Sequence, residues 1–226
     1  KVAYKPRRKK KEVSEGFLNQ EFRKNRGYDD YLKYMEKHPD TPLIQMDTVK
    51  GCREQGKRLL TLHFCNTNMM LMFLMRDGKA DTVVEQFDML TGLLGLEEFR
   101  KVFPAILTDN GSEFKHTRDL ETTEDGKKRT KVFYCDPQAS WQKPQIEKNH
   151  EFIRYVLPKG KTLNPYTQED MLLLANNINS IGRESLGNKS PYEATTDKSI
   201  LRLMGLMGLH TVPADEVNLT PALLKR

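Results

Sequence analysis

Three apolar runs set the first constraint on this chain. They occupy residues 43–48, 58–65 and 68–75, and only short polar breaks divide them: Gly51 to Gly56, then Asn66-Thr67-Asn68. Segments this short, bounded by turn formers, are strands at hairpin spacing. Leu59-Leu60-Thr61-Leu62-His63-Phe64 and Met69 to Met75 are almost continuously apolar, so their strands are expected to be buried on both faces. The period then changes. Val83, Val84, Phe87, Leu90 and Leu94 recur at helical spacing over 80–94, and a second helix over 96–103 ends at Pro104. A strand follows at 105–109, a helix starts near Ser112, 116–130 reads as a polar surface loop, and Lys131 to Cys135 is a short strand. Helices are expected from Gln145 to Leu157, stopped by Pro158 and Gly160, and then over 167–181, 191–196 and 198–209. Strands followed by alternating helices and strands predict an α/β fold, a mixed sheet flanked by helices.

The chain has 226 residues, a net charge of +6 and a pI near 9.1. That balance favours a polyanionic partner. Lys1, Lys5, Arg7, Arg8, Lys9, Lys10 and Lys11 carry no acid among them; a flexible linker and a basic arm that holds phosphates are compatible readings. Three scattered cysteines, Cys52, Cys65 and Cys135, form neither a disulfide framework nor a zinc signature and fit a reducing compartment. No apolar run reaches the length of a membrane span, and no signal-peptide core is present. The chain opens on Lys inside the basic run, as expected of a piece of a longer protein. Its expected organisation is a basic linker and short helical segment over 1–40, a core over 41–196 and a C-terminal helical extension over 197–226. In the extension, Leu201, Leu203, Met204, Leu206 and Leu209 suit either completion of the fold or contacts between copies.

Two strands end in carboxylates. Pro42-Leu43-Ile44-Gln45-Met46-Asp47 closes on Gly51, and Ile106-Leu107-Thr108-Asp109 runs into Asn110-Gly111-Ser112-Glu113-Phe114. Strands that each bring an Asp to one sheet edge place two carboxylates side by side, and these need a counter-charge to stay ionised together. A hard divalent cation such as Mg²⁺ supplies one, which points to metal-assisted phosphate chemistry. The helix from Gln145 offers a third acid, Glu147 or Glu151, four apart and on roughly one face. The ordinary alternatives are a turn-capping Asp47, an Asx turn at Asp109 and a solvated helix face; spacing does not choose.

Asp47 in MDTVKG, Asp109 in LTDNGSEF and Glu147 in WQKPQIEKNHEFIRYVLPKG resemble the three motifs of DDE transposases and retroviral-type integrases, in particular the IS30 family of bacterial insertion-sequence transposases. The resemblance covers roughly residues 28–195, and the intervals between the acids are 109 − 47 = 62 and 147 − 109 = 38. Counting back from Ile153-Arg154 and Pro158-Lys159-Gly160 selects Glu147 over Glu151, while Lys148 and His150 stand where the family pattern has asparagines. The resemblance implies an RNase H-like, five-stranded sheet, with Asp47 on the first strand, Asp109 after the fourth and Glu147 on a helix crossing the sheet edge. It implies that these three residues are catalytic and hold two Mg²⁺ ions, for which Mn²⁺ may substitute, with Asp47 bridging both. The implied activity is cleavage at transposon ends, followed by transfer of the freed 3′-hydroxyl to target DNA. The implied partners are double-stranded DNA and further copies of the chain, in the bacterial cytoplasm, with a helix-turn-helix region outside this chain. A nuclease without joining activity and a non-catalytic DNA-binding module are the alternatives.

Lys148, Asn149 and Arg154 share the helix of Glu147 and are candidates for DNA contact; Trp141, in the preceding loop, is a candidate for stacking on a base. Asn110 and Gly111 shape the turn after Asp109. Glu113 belongs to the first turn of a helix or is a further ligand. His63, His116 and His150 lack metal-ligand spacing, and the methionines of 69–75 are expected to fill core.

Overall fold

The computed structural model describes residues 21–52 and 56–224, the side chain of Ser140 excepted. The basic run Lys1–Lys11 therefore lies outside the described residues. The three apolar runs form an antiparallel meander: β1 (Ile44–Lys50), β2 (Arg58–Phe64) and β3 (Met69–Met75). Ile44 pairs with Phe64 and Lys50 with Arg58, then Arg58 with Met75 and Phe64 with Met69. β2 and β3 are buried along nearly their whole length, as continuous apolar runs require.

Helices α1 (Tyr28–Lys37), α2 (Ala80–Leu94) and α3 (Leu96–Val102) match the periodicity closely. The crossover through α2 and α3 returns the chain to the other side of β1. There β4 (Ile106–Thr108) pairs parallel to β1, with Gln45 opposite Leu107, and β5 (Val132–Tyr134) pairs parallel to β4. The strand order is β3-β2-β1-β4-β5. β1 thus faces an antiparallel neighbour on one side and a parallel one on the other.

Two stretches differ from expectation. No α-helix begins at Ser112: a single 3-10 turn, Ser112–Phe114, buries Phe114, and the helix α4 (Thr117–Glu121) starts later. Nor is 116–130 merely a surface loop. Besides α4 it contains Arg129, which is fully buried. Its guanidinium donates to the carbonyls of Leu120 (3.0 Å) and Asp119 (2.6 Å) and to Asp88 (2.6 Å), and lies over the rings of Phe87 and Phe99. A charge can be buried when its hydrogen bonds and an ion pair are satisfied.

Beyond β5 come α5 (Pro144–Val156), α6 (Gln168–Asn179), α7 (Pro191–Ala194) and α8 (Lys198–Leu206). α6 lies against β3, the outermost strand, and closes its open edge with side-chain amides. Gln168 accepts from Leu74 N (2.7 Å) and donates to Met72 O (2.8 Å), while Asn179 accepts from Met70 N and donates to Met70 O, both at 2.9 Å. An edge strand covered in this way offers no template for pairing with another chain. The main core joins the meander to α2, α3, α5 and α6, and takes in Ile200, Leu203, Met204, Leu209 and Leu224. The C-terminal segment therefore contributes to the core, while Leu201 and Leu206 remain exposed. A smaller cluster on the far side seats Tyr31 of α1 against Ala105, Leu107, Phe133 and Cys135. Among the described residues, no helix is long and apolar enough to cross a membrane.

Candidate active site

Parallel pairing brings the ends of β1 and β4 to one sheet edge. Asp47 lies within β1, Asp109 directly follows β4, and the Thr108 hydroxyl locks the strands together by donating to Met46 O at 3.1 Å. One oxygen of each carboxylate is fixed by a nearby backbone N–H. Asp47 Oδ1 accepts from Thr48 N at 2.7 Å, and Asp109 Oδ1 accepts from Gly111 N at 2.8 Å. The other oxygens converge: Lys143 Nζ lies 2.8 Å from Asp47 Oδ2 and 3.5 Å from Asp109 Oδ2. Lys143 is only 3% exposed. Burial pushes the Asp47 carboxyl up; the Lys143 ammonium pulls it down and Asp109 pushes it up, leaving it above the ordinary range. Burial also opposes the charge on Lys143, but Asp47 and Asp109 outweigh it, so its pKa is raised.

The Asn-Gly turn is shaped by crowding. A Cβ on Gly111 would sit 2.7 Å from Glu113 Oε2 and 3.0 Å from Asp109 Oδ1. Glu113 is buried in the 3-10 turn and accepts from Thr48 Oγ1 at 2.6 Å, which ties the turn back to β1. Asn110 donates to Cys135 O (2.8 Å) and accepts from the buried Arg23, which also donates to Cys135 O (3.0 Å).

Pro144 at the first position of α5 opens the helix beside this edge. The helix is docked by Gln45, whose side-chain oxygen accepts from Ile146 N at 2.9 Å. Glu147, in the first turn, is exposed and lines an open cleft of about 360 Å³ together with Asp109, Asn110, Gly111, Asp136 and Lys143. Among the described residues no three of His, Cys, Asp and Glu are gathered closely enough to hold a metal ion. Asp47 and Asp109 meet at the ammonium, and Glu147 stands across the same cleft. Glu151, one turn on, is exposed and does not line it.

The remaining candidates separate. Lys148 is exposed beside Glu147 and Trp141 is 67% exposed. Asn149 is only 4% exposed; it donates to Gln145 O at 3.0 Å and faces His63 Nε2 at 3.3 Å. Arg154 donates to Lys50 O (2.9 Å), and Gly160 N donates to Gly51 O (2.9 Å). The Ile-Arg and Pro-Lys-Gly run therefore clasps the end of β1. His150 contacts Thr61 Oγ1 at 2.8 Å, and Thr61 donates to Asp47 O at 3.1 Å. Burial, followed by the charges of Lys143 and Arg154, pushes His150 down to about 3. His116 is elsewhere, 3.0 Å from Asp81. Sequence reasoning missed Gln45, Arg23 and Lys143; for Lys143 the available signal was a cation immediately before the helix-opening proline and one turn before Glu147.

The transposase for insertion sequence element IS4351 of Bacteroides fragilis is 26% identical over 151 residues, 66% of this chain and 43% of that protein. Transposase InsI of element IS30A from Escherichia coli (strain K12) is 40% identical over 63 residues, 28% of this chain and 16% of that protein. The chain is similar to insertion-sequence transposases, InsI of IS30A among them. The match spans less than half of these relatives' own length. No protein-family model matches. A chain of the simian T-cell lymphotropic virus intasome, in complex with PP2A regulatory subunit B56 gamma, superposes with a TM-score of 0.50 at 12% identity, over 70% of this chain and 55% of that one. The fold of this chain is RNase H-like α/β, five mixed strands flanked by helices.

Proposed function

We propose that this chain is the catalytic core of a DDE transposase, cutting DNA at transposon ends and joining the freed 3′ end to target DNA. The observation that carries the reading is the convergence of Asp47 Oδ2 and Asp109 Oδ2 on one cationic nitrogen, with Glu147 lining the same cleft. The donor set fits divalent metal ions: all three groups offer hard carboxylate oxygens, two are already directed to one point, and that point already holds positive charge. Asp47, Asp109 and Glu147 would hold Mg²⁺ or Mn²⁺. When bound, such ions lower the pKa of an attacking hydroxyl and stabilise the leaving 3′-oxygen.

The chain's own residues prepare this site. Thr48 N–H and Gly111 N–H each engage one carboxylate oxygen, so the second oxygen of each acid keeps its aim. Gln45 fixes the start of α5, and with it the first-turn position of Glu147, against β1. Thr61 and His150 hold the middle of α5 over the backbone of Asp47. Lys148 and Trp141, exposed at and before the start of α5, would contact DNA; Asn149 and Arg154, the other two candidates, bond to Gln145 O and Lys50 O. The substrates are double-stranded transposon ends and target DNA, handled by an oligomer in the bacterial cytoplasm.

A strand-transfer assay tests the reading. The protein is incubated with a labelled duplex of its element's end, Mg²⁺ and target plasmid, beside Glu147→Gln. Joined product from the unaltered protein and none from the variant is expected. Nicking without joining would make it a nuclease, and equal joining by both would remove Glu147 from the site.

A further inference from the structure

Lys143 is a buried charge at the candidate site that the proposed chemistry does not use. Its ammonium is buried at the start of α5, and its contacts are the two oxygens that converge, Asp47 Oδ2 at 2.8 Å and Asp109 Oδ2 at 3.5 Å. No other basic group pairs with either acid among the described residues. Removing one partner of such a group leaves uncompensated charge in a poorly solvated place. Lys143 is thus the counter-charge placed between two neighbouring carboxylates on one sheet edge.

We propose that Lys143 is a tethered counter-cation: it holds the Asp47–Asp109 pair in register and is expelled into the adjoining cleft when a divalent cation takes the same oxygens. This rests on the reading of Asp47 and Asp109 as cation ligands. The argument is electrostatic. A hard cation approaches carboxylate oxygens to about 2.0–2.1 Å, so an ammonium held on those same atoms would lie within a few ångströms of a double positive charge, with little water between to screen it. The ammonium has somewhere to go. Lys143 itself lines the open cleft, whose other walls include two exposed acids, Asp136 and Glu147. It is a positioning residue: it sets the geometry of the acids before the cation arrives and, by competing for them, weakens the affinity of the site for that cation.

Amine acetylation followed by mass spectrometry reads the exchange directly on the unaltered chain, with exposed Lys148 as internal reference. In EDTA, Lys143 should label far more slowly than Lys148; with Mn²⁺ bound, its labelling should rise at least about tenfold relative to Lys148. Lys143→Met supplies a second readout. By calorimetry it should bind Mn²⁺ about tenfold more tightly than the unaltered chain, and it should melt at a lower temperature in EDTA, a loss that Mn²⁺ reverses. Mn²⁺ binding with unchanged Lys143 protection, or equal or weaker Mn²⁺ affinity in a folded Lys143→Met, would overturn the exchange while leaving the proposed function standing. Absence of Mn²⁺ binding by the unaltered chain would overturn both.

Discussion

The two ends of α5 carry the residues by which the chain resembles transposases, yet they are built differently. At the start, Lys143 reaches the Asp47 carboxylate of β1 and Ile146 N donates to the side chain of Gln45, while Glu147 faces an open cleft. At the far end, Arg154 and Gly160 reach main-chain oxygens, those of Lys50, Leu157 and Gly51. One end arranges charge for chemistry; the other fastens a helix to a strand. A motif spanning both is a record of two requirements, and substitutions at the two ends should fail in different ways.

The largest expected effect lies at the charged end. Asp47→Asn and Asp109→Asn should each lower strand cleavage by roughly 10³-fold or more, about 4 kcal/mol of transition-state stabilisation, with the circular dichroism spectrum preserved. Cleavage at the unaltered rate would remove the acid from the site. At the fastened end the order reverses. A Cβ at Gly51 would lie 2.3 Å from Lys161 O; Gly51→Ala should therefore cost about 2–3 kcal/mol of stability in a urea titration. Arg154→Met, which loses charge-assisted bonds to Lys50 and Leu157 carbonyls, should cost about 1–2 kcal/mol and leave cleavage within a few-fold at temperatures where the variant is folded. A thousandfold loss of activity in a stable Arg154→Met would erase the distinction between the ends.

The middle of the helix gives the smallest and most graded effect. His63 and His150 are both pushed down to about 3, chiefly by burial. Their folded values lie below the unfolded ones, so between pH 6.5 and 3 the unfolded chain binds more protons. The stability they contribute is complete above about 6.5 and is lost as pH falls toward 3. Each should steepen the fall by up to about 1.4 kcal/mol per pH unit. His150→Gln should remove about half of that slope in pH-dependent melts; an unchanged slope would mean that His150 is not held neutral.

Elements were readable wherever local pattern decides them. The meander follows from three apolar runs with turn formers between, and α2 from Val83, Phe87, Leu90 and Leu94 at helical spacing. Asp47 and Asp109 were legible because each closes an apolar run in the sequence; in the structure Asp47 lies within β1 and Asp109 directly follows β4, and the parallel pairing joins the two strands. What escaped depends on partners distant in sequence. Arg129 looks like one more charge in a polar loop until Asp88 and two phenylalanine rings close over it. Asn149 sits among exposed residues in the sequence but turns inward toward His63. Lys143 escaped for the same reason, since the acids that justify burying it come from two other elements.

The parallel pairing of β1 with β4 also has a consequence for the order of assembly. The meander joins neighbours through short turns, whereas Gln45 meets Leu107 only after the whole of β2, β3, α2 and α3 has been looped out. Closing that loop carries an entropic penalty that contacts between adjacent hairpin strands avoid. During synthesis the meander can fold before Leu107 and Asp109 have left the ribosome, so Asp47 waits on a finished hairpin for the rest of its site to be made.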